Sequence, residues 1–165
     1  MKENTCAFAG LRPHKLPFDE GGAYFNMLMK VMKSTEEEAI DKGFTTFLSG
    51  GAMGADLWFA EIVLELRKEN PALQLICILP CETQANSWSE HWRDRYFAVC
   101  AASDDVEYIS HPYTKSCYFE RNRALIDRSS LLIALHGRGT TGGTAYTIAY
   151  AKEKNVPAII LDPFD

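Results

Sequence analysis

Residues 44–56 read Phe44-Thr45-Thr46-Phe47-Leu48-Ser49-Gly50-Gly51-Ala52-Met53-Gly54-Ala55-Asp56. The apolar, β-branched and aromatic run over 44–48 has the composition of a buried strand. It stops at Ser49-Gly50-Gly51, and within a few residues Leu57, Ala60, Val63 and Leu64 recur on one helical face. A strand that turns through glycines into a helix leaves backbone N–H groups at the helix N-terminus, where the macrodipole favours anions. Gly50, Gly51 and Gly54 permit unusual backbone angles and let a ligand approach the main chain. A tight turn that holds nothing has the same local signature, so the rest of the chain must decide between the two.

Strand-like and helix-like segments alternate on both sides of this stretch. Upstream, a short strand over 5–9 ends at Gly10-Leu11-Arg12-Pro13, where the proline fixes the loop and keeps Arg12 extended. Arg12 therefore stands at a strand's C-terminal end, where open α/β sheets put ligands, although a solvated loop arginine reads the same way. The segment 17–42 reads mostly as a helix, with Tyr24, Leu28, Val31 and Met32 as its apolar stripe. Glu36-Glu37-Glu38 is its solvated run, and Gly43 sits just past its end. Tyr24 and the methionines are expected in the core.

Downstream, the helix after Asp56 runs to about residue 70, and a third buried strand spans 73–79 before Pro80. Turn chemistry over 81–89 opens into a helix over 91–102. Gln84, Trp88 and Trp92 make an aromatic–amide group after a strand end, where a base could stack or the rings simply pack. A fourth strand over 106–110 leads through a loop to a charged helix over 118–128. Its Glu120, Arg121 and Arg123 read either as site residues or as a solvated face. The nearly all-apolar fifth strand, 131–135, has the composition of a sheet covered on both faces. It ends in a second glycine-rich junction, His136-Gly137-Arg138-Gly139-Thr140-Thr141-Gly142-Gly143-Thr144. A helix to 154 and a sixth strand over 156–161 complete the chain.

This alternation predicts one α/β domain over 1–165, a doubly wound, mostly parallel sheet with helices on both faces. Both glycine-rich junctions then fall at strand C-terminal ends, side by side if strands two and five are neighbours. Two helix N-termini on one crevice suit a phosphate and a ribose, or more than one phosphate, with Arg12 and Arg121 adding charge-assisted bonds. Asp56, in the first helical turn, would repel a phosphate placed directly on it; it fits a ribose hydroxyl or a loop-bracing role better. There is neither a Walker loop nor the G-x-G-x-x-G order of a dinucleotide fingerprint.

Bulk properties narrow the partners. The 165 residues carry a net charge of −5 and a pI near 5.4, a poor match for a nucleic acid backbone as a whole. No stretch approaches the ~18 apolar residues of a membrane span, and the N-terminus leads straight into a strand-like run without a signal peptide pattern. The expectation is a cytoplasmic protein. The five cysteines, Cys6, Cys77, Cys81, Cys100 and Cys117, include no C-x-x-C pair, and no His or Cys cluster has zinc-site spacing, so no metal is expected.

The segment 5–13, with its Gly10-Leu11-Arg12-Pro13 end, Ser49-Gly50-Gly51-Ala52-Met53-Gly54-Ala55-Asp56, Arg121-Asn122-Arg123 with Asp127, and Gly142-Gly143-Thr144 together resemble the YpsA-like family of the SLOG superfamily. The resemblance covers nearly the whole chain, in order. It implies a Rossmann-like fold and a nucleotide-derived ligand held by the Gly50–Gly54 and Gly142–Thr144 loops. The family commonly has Thr-Gly-His-Arg-Pro in the first loop; Ala9 and Leu11 stand here for the Thr and His, so an arginine role carries over and a histidine role does not. Lonely-guy phosphoribohydrolases, in the same superfamily, are similar at Glu120-Arg121-Asn122 and Gly142-Gly143-Thr144, but have a glutamate shortly after the Gly-Thr pair. Here Ala145, Tyr146 and Thr147 follow, and no carboxylate is available to stabilise an oxocarbenium-like state. DprA is similar in the same two blocks and binds single-stranded DNA; this chain is acidic and lacks a basic run with interleaved aromatics.

These readings give a binder or sensor of a small nucleotide-derived ligand such as ADP-ribose, an NAD-like molecule or a nucleoside phosphate, with no further cofactor. Its expected contacts are Gly10, Arg12, Ser49, Gly50, Gly51, Gly54, Asp56, Trp88, Arg121, Asn122, Gly142, Gly143 and Thr144. The alternative is a hydrolase of the N-glycosidic or phosphate bond, using Asp56, Glu120 and Arg121. Membrane association is not expected and nucleic acid is disfavoured, while the outer helices of an open sheet offer ordinary homo-oligomer surfaces.

Overall fold

A computed structural model of the chain describes residues 2–137 and 142–164. Among these, the strands are β1 (Thr5–Gly10), β2 (Thr46–Ser49), β3 (Gln74–Leu79), β4 (Asp105–Tyr108), β5 (Leu131–Leu135) and β6 (Ala158–Leu161). Between them run helices α1 (Ala23–Asp41), α2 (Ala55–Arg67), α3 (Glu90–Ala102), α4 (Cys117–Asp127) and α5 (Gly143–Glu153). The strands form one all-parallel sheet in the order β4-β3-β2-β1-β5-β6. Each strand returns through a helix, which is the connection a parallel neighbour requires. The fold is the doubly wound α/β class that the alternation predicts, and it is Rossmann-like, as the resemblance implies.

Side chains alternate across the sheet with the two-residue period of a strand. Cys6, Phe8, Phe47, Leu75, Cys77, Leu79, Ile133 and Leu135 face the layer of α1, α2 and α3. Ala7, Ala9, Leu48, Ile78, Leu132 and Ala134 face α4 and α5. On the first face Phe8 stacks on Phe59 of α2 at 4.6 Å between centroids, and lies beside Phe47 at 5.7 Å. On the second face Ala7 and Ala9 of β1 pack with Leu125 and Ile126 of α4 and Ala151 of α5.

Strand order corrects one expectation directly. Strands β2 and β5 are not neighbours: β1 lies between them, and α2 and α5 cover opposite faces. The chain reverses direction across the sheet between β1 and β5, so this is the switch point, and the loop after β1 is its centre.

Three local expectations also change. The first long helix begins at Ala23 rather than near residue 17, because Pro17 and the pair Gly21-Gly22 (Gly21 at φ +89°) precede it; a short 3₁₀ turn, Pro13–Lys15, follows the first strand instead. Its buried stripe is Phe25, Leu28, Met32, Thr35, Glu36 and Ala39. Tyr24 and Val31 are turned outward, 72% and 49% exposed, as is Met27. Glu36, expected in solvent, falls on the buried stripe four residues after Met32, and neither carboxylate oxygen has a partner among the described residues. Burial pushes its carboxyl well above the usual range, helped by the neighbouring charge of Glu37.

No helix among the described residues is long and apolar enough to cross a membrane. The five cysteines are free thiols.

Candidate functional site

The cleft at the C-terminal ends of β1 and β5 starts from the loop after β1. Leu11 continues the strand's pairing by donating its amide to the Leu135 carbonyl at 3.1 Å, and its own carbonyl accepts the Ala55 amide at 3.2 Å. The loop therefore rests on the first residue of α2. Gly54, the N-cap of α2, has φ +94°, and a Cβ there would stand 2.6 Å from the Leu11 carbonyl and 2.9 Å from Pro13. Only glycine meets both demands, the left-handed backbone and the close approach. This contact fixes the position from which Arg12 reaches into the cleft.

The β2–α2 junction is closed upon itself. Ser49, fully buried, accepts the Gly51 amide at 3.2 Å and donates to the Asp56 carbonyl at 3.0 Å. Asp56, 6% exposed, accepts the Ala52 amide at 3.3 Å through Oδ2. Arg121, 4% exposed, crosses from α4 to donate to the Gly50 carbonyl. Its Nε donates to the Asn122 side chain at 2.8 Å, and it also meets Gln84 Oε1 at 3.5 Å. Gln84 donates to the same Gly50 carbonyl at 3.3 Å. A Cβ on Gly50 would stand 2.7 Å from the Arg121 guanidinium, so the bare glycine makes room for the arginine.

Two buried charges in the cleft's lining thus act on each other through space, without a direct ion pair. Burial raises the Asp56 carboxyl above its ordinary value, opposed by Arg121, the Ala52 amide and Arg12. Burial likewise lowers the Arg121 guanidinium, opposed chiefly by Asp56. Each offsets part of the other's desolvation cost.

The opposite wall is the β5–α5 junction. Gly142, at φ +107°, is the N-cap of α5 and has no side chain to cap the first turn. Gly143 and Thr144 open the helix, and Thr147 bonds back to the Gly143 carbonyl at 2.8 Å. The Asn122 side chain closes against this turn, 3.6 Å from where a Gly143 Cβ would lie. Residues 138–141 of the glycine-rich stretch lie outside the described residues.

Of the residues expected in the site, Gly10, Arg12, Asp56, Arg121, Asn122, Gly142, Gly143 and Thr144 line this one cleft. Ser49, Gly50, Gly51 and Gly54 do not line it; they build the turn that seats Arg121, Asp56 and Arg12. Trp88 is 9% exposed, edge-to-face with Tyr96 at 5.3 Å within the core below α3, and does not line the cleft either. Glu120 projects from α4 outside the lining, near enough to Arg123 to act on its charge. Lys15 is a lining residue that the sequence reading passed over. Its signal was faint: a lysine three residues after Arg12 acquires meaning only because Pro13–Lys15 is a tight turn. The Arg12 and Lys15 side chains have no hydrogen-bond or ion-pair partner among the described residues.

The comparisons with known proteins follow the same residues. The YpsA family model, described as the YspA SLOG family, matches residues 6–160. The chain belongs to this SLOG family. It is 31% identical over 149 residues to a UPF0398 protein of Bacillus pumilus, covering 88% of this chain and 80% of the relative. It is 29% identical over 155 residues to the UPF0398 protein YpsA of Bacillus subtilis, covering 91% and 85% respectively. Among solved structures it is similar to DNA processing protein A from Helicobacter pylori, described for its single-stranded DNA binding mode. That match has a TM-score of 0.62 at 18% identity over 96% of this chain and 65% of the other, and is a likeness of fold. The SLOG chain described here therefore spans about two thirds of that protein.

Proposed function

We propose that the protein binds a small nucleotide-derived ligand in the cleft between β1 and β5, as a sensor or binding module rather than as a catalyst. The observation that carries this reading is the charge of the cleft. Among the described residues its lining has three cations, Arg12, Lys15 and Arg121, against one carboxylate, Asp56, in a chain whose net charge is −5. The Arg12 and Lys15 side chains, without a partner among the described residues, line the same cleft as Gly142 and Gly143 at the N-terminus of α5, where helix dipole and guanidinium favour the same phosphate. Asp56 supplies an acceptor suited to ribose hydroxyls. SLOG domains generally bind nucleotide-derived ligands, which agrees with this chemistry.

A thermal-shift series against nucleoside monophosphates, ADP-ribose, NAD and ribose 5-phosphate, with product analysis of each hit, tests the proposal. A ligand selective for the native state raises Tm by mass action. Stabilisation by a ligand recovered unchanged, lost in Arg12→Ala, is the expected result; absence of any shift counts against the reading.

One observation favours a hydrolytic second reading. Asp56 is a cleft-lining carboxyl with raised proton affinity, the kind of group that can serve as an acid. Recovery of a cleaved ligand, with the rate collapsing in Asp56→Asn, would put that reading first.

A further inference from the structure

With Trp88 packed in the core, the cleft needs another surface for the ring-bearing end of its ligand. Helix α4 presents two stripes at i, i+3 spacing in its first turns. Phe119 and Asn122 face α5: Phe119 packs edge-to-face on Tyr146 at 4.9 Å, and Asn122 closes on Gly143. Tyr118 and Arg121 form the other stripe, away from the anion-favouring turn. The Tyr118 ring, outside the cleft's lining but 5.5 Å from the Arg121 guanidinium that does line it, is partly exposed. Its phenol also feels the charge of Arg12, on the facing wall of the cleft. Tyr113, 62% exposed, extends the aromatic surface at 6.4 Å.

We propose that Tyr118 is the stacking face for the base of the nucleotide-derived ligand. The inference rests on the nucleotide reading above. A phosphate at the α5 turn and Arg12 places the ribose over Asp56 and Arg121, and the base then emerges on the Tyr118 side of α4. A flat, partly exposed ring with a guanidinium behind it is a sequence-tolerant platform for any base. The subsite selects a planar aromatic group and leaves its hydrogen-bonding edge unread.

The test is calorimetric titration of AMP and ribose 5-phosphate into wild-type protein and into Tyr118→Ala, Tyr118→Phe and Phe119→Ala. The wild type is expected to bind AMP about 10-fold or more tightly than ribose 5-phosphate, the usual scale of one base–aromatic stack. Tyr118→Ala erases that gap and leaves ribose 5-phosphate binding unchanged; Tyr118→Phe keeps the gap, and so does Phe119→Ala. Equal affinity of the wild type for the two probes overturns the base subsite while the phosphate reading stands. Loss of both probes alike in Tyr118→Ala also overturns it, since the ring would then be supporting Arg121. Wild-type protein that binds neither AMP nor ribose 5-phosphate overturns the nucleotide reading and the subsite together.

Discussion

The two glycine-rich strand-to-helix junctions look alike in sequence and have opposite interiors. At the β2–α2 junction each glycine is spoken for: Cβ atoms on Gly50, Gly51 and Gly54 would meet Arg121, Leu79 and the Leu11 carbonyl within 2.8 Å. At the β5–α5 junction a Cβ on Gly142 meets no described atom within 4 Å. In the first junction the Leu11 carbonyl takes the first helical amide, that of Ala55, and the Asp56 carboxylate takes the loop amide of Ala52. The second faces the cleft. A glycine-rich turn before a helix therefore reports a possible anion site only where the rest of the chain has not already filled it.

Substitutions that separate the two junctions test this contrast. The largest effect is expected for Arg121→Ala, which leaves the Gly50 carbonyl, Gln84 and the buried Asp56 without their cation; about 3–5 kcal/mol of stability should be lost in urea denaturation. A loss under 1 kcal/mol would mean that the β2–α2 turn does not depend on the arginine.

Next comes the pair Gly54→Ala and Gly142→Ala. Both force a side chain onto a left-handed backbone, costing on the order of 1–3 kcal/mol, but only the first also collides with a carbonyl. Gly54→Ala should therefore destabilise more, whereas Gly142→Ala should keep most of the fold and weaken the Tm rise produced by any ligand found. Equal losses at the two positions would break the comparison.

The smallest effect is a pH dependence confined to the closed junction. Asp56 binds its proton more tightly when folded than when unfolded. Above about pH 4, where an unfolded aspartate ionises, the folded protein still holds the proton, so this group's contribution falls as pH rises through the folded value. The stability of wild type relative to Asp56→Asn should therefore decline from pH 4 upward. A flat difference between pH 4 and 7 would show that Arg121 cancels the desolvation completely.

How far the sequence could be read follows the range of the interactions involved. The strand at 131–135 and the turns at Gly50 and Gly142 were legible because composition and glycine placement act locally. The first helix shows the limit. Tyr24, Leu28, Val31 and Met32 made a plausible stripe, yet the face that packs is Phe25, Leu28, Met32 and Glu36, rotated by about one residue. Only the layer beneath a helix selects among neighbouring faces. Trp88 was equally ambiguous, since a tryptophan after a strand end packs or stacks according to where the next helix lies.

The resemblance of its motif blocks carried the family, and the sequence by itself determined the parallel α/β class and put Arg12 and the two glycine-rich turns at strand ends. Alternating periodicity and turn residues are properties of adjacent positions, and they suffice for that. Tertiary structure alone decided that β1 separates the two junctions, that Arg121 from residue 121 closes the turn at residue 50, and that Lys15 rather than Trp88 joins the cleft. Those outcomes depend on strand order and on contacts between residues far apart in the chain, which no local pattern encodes.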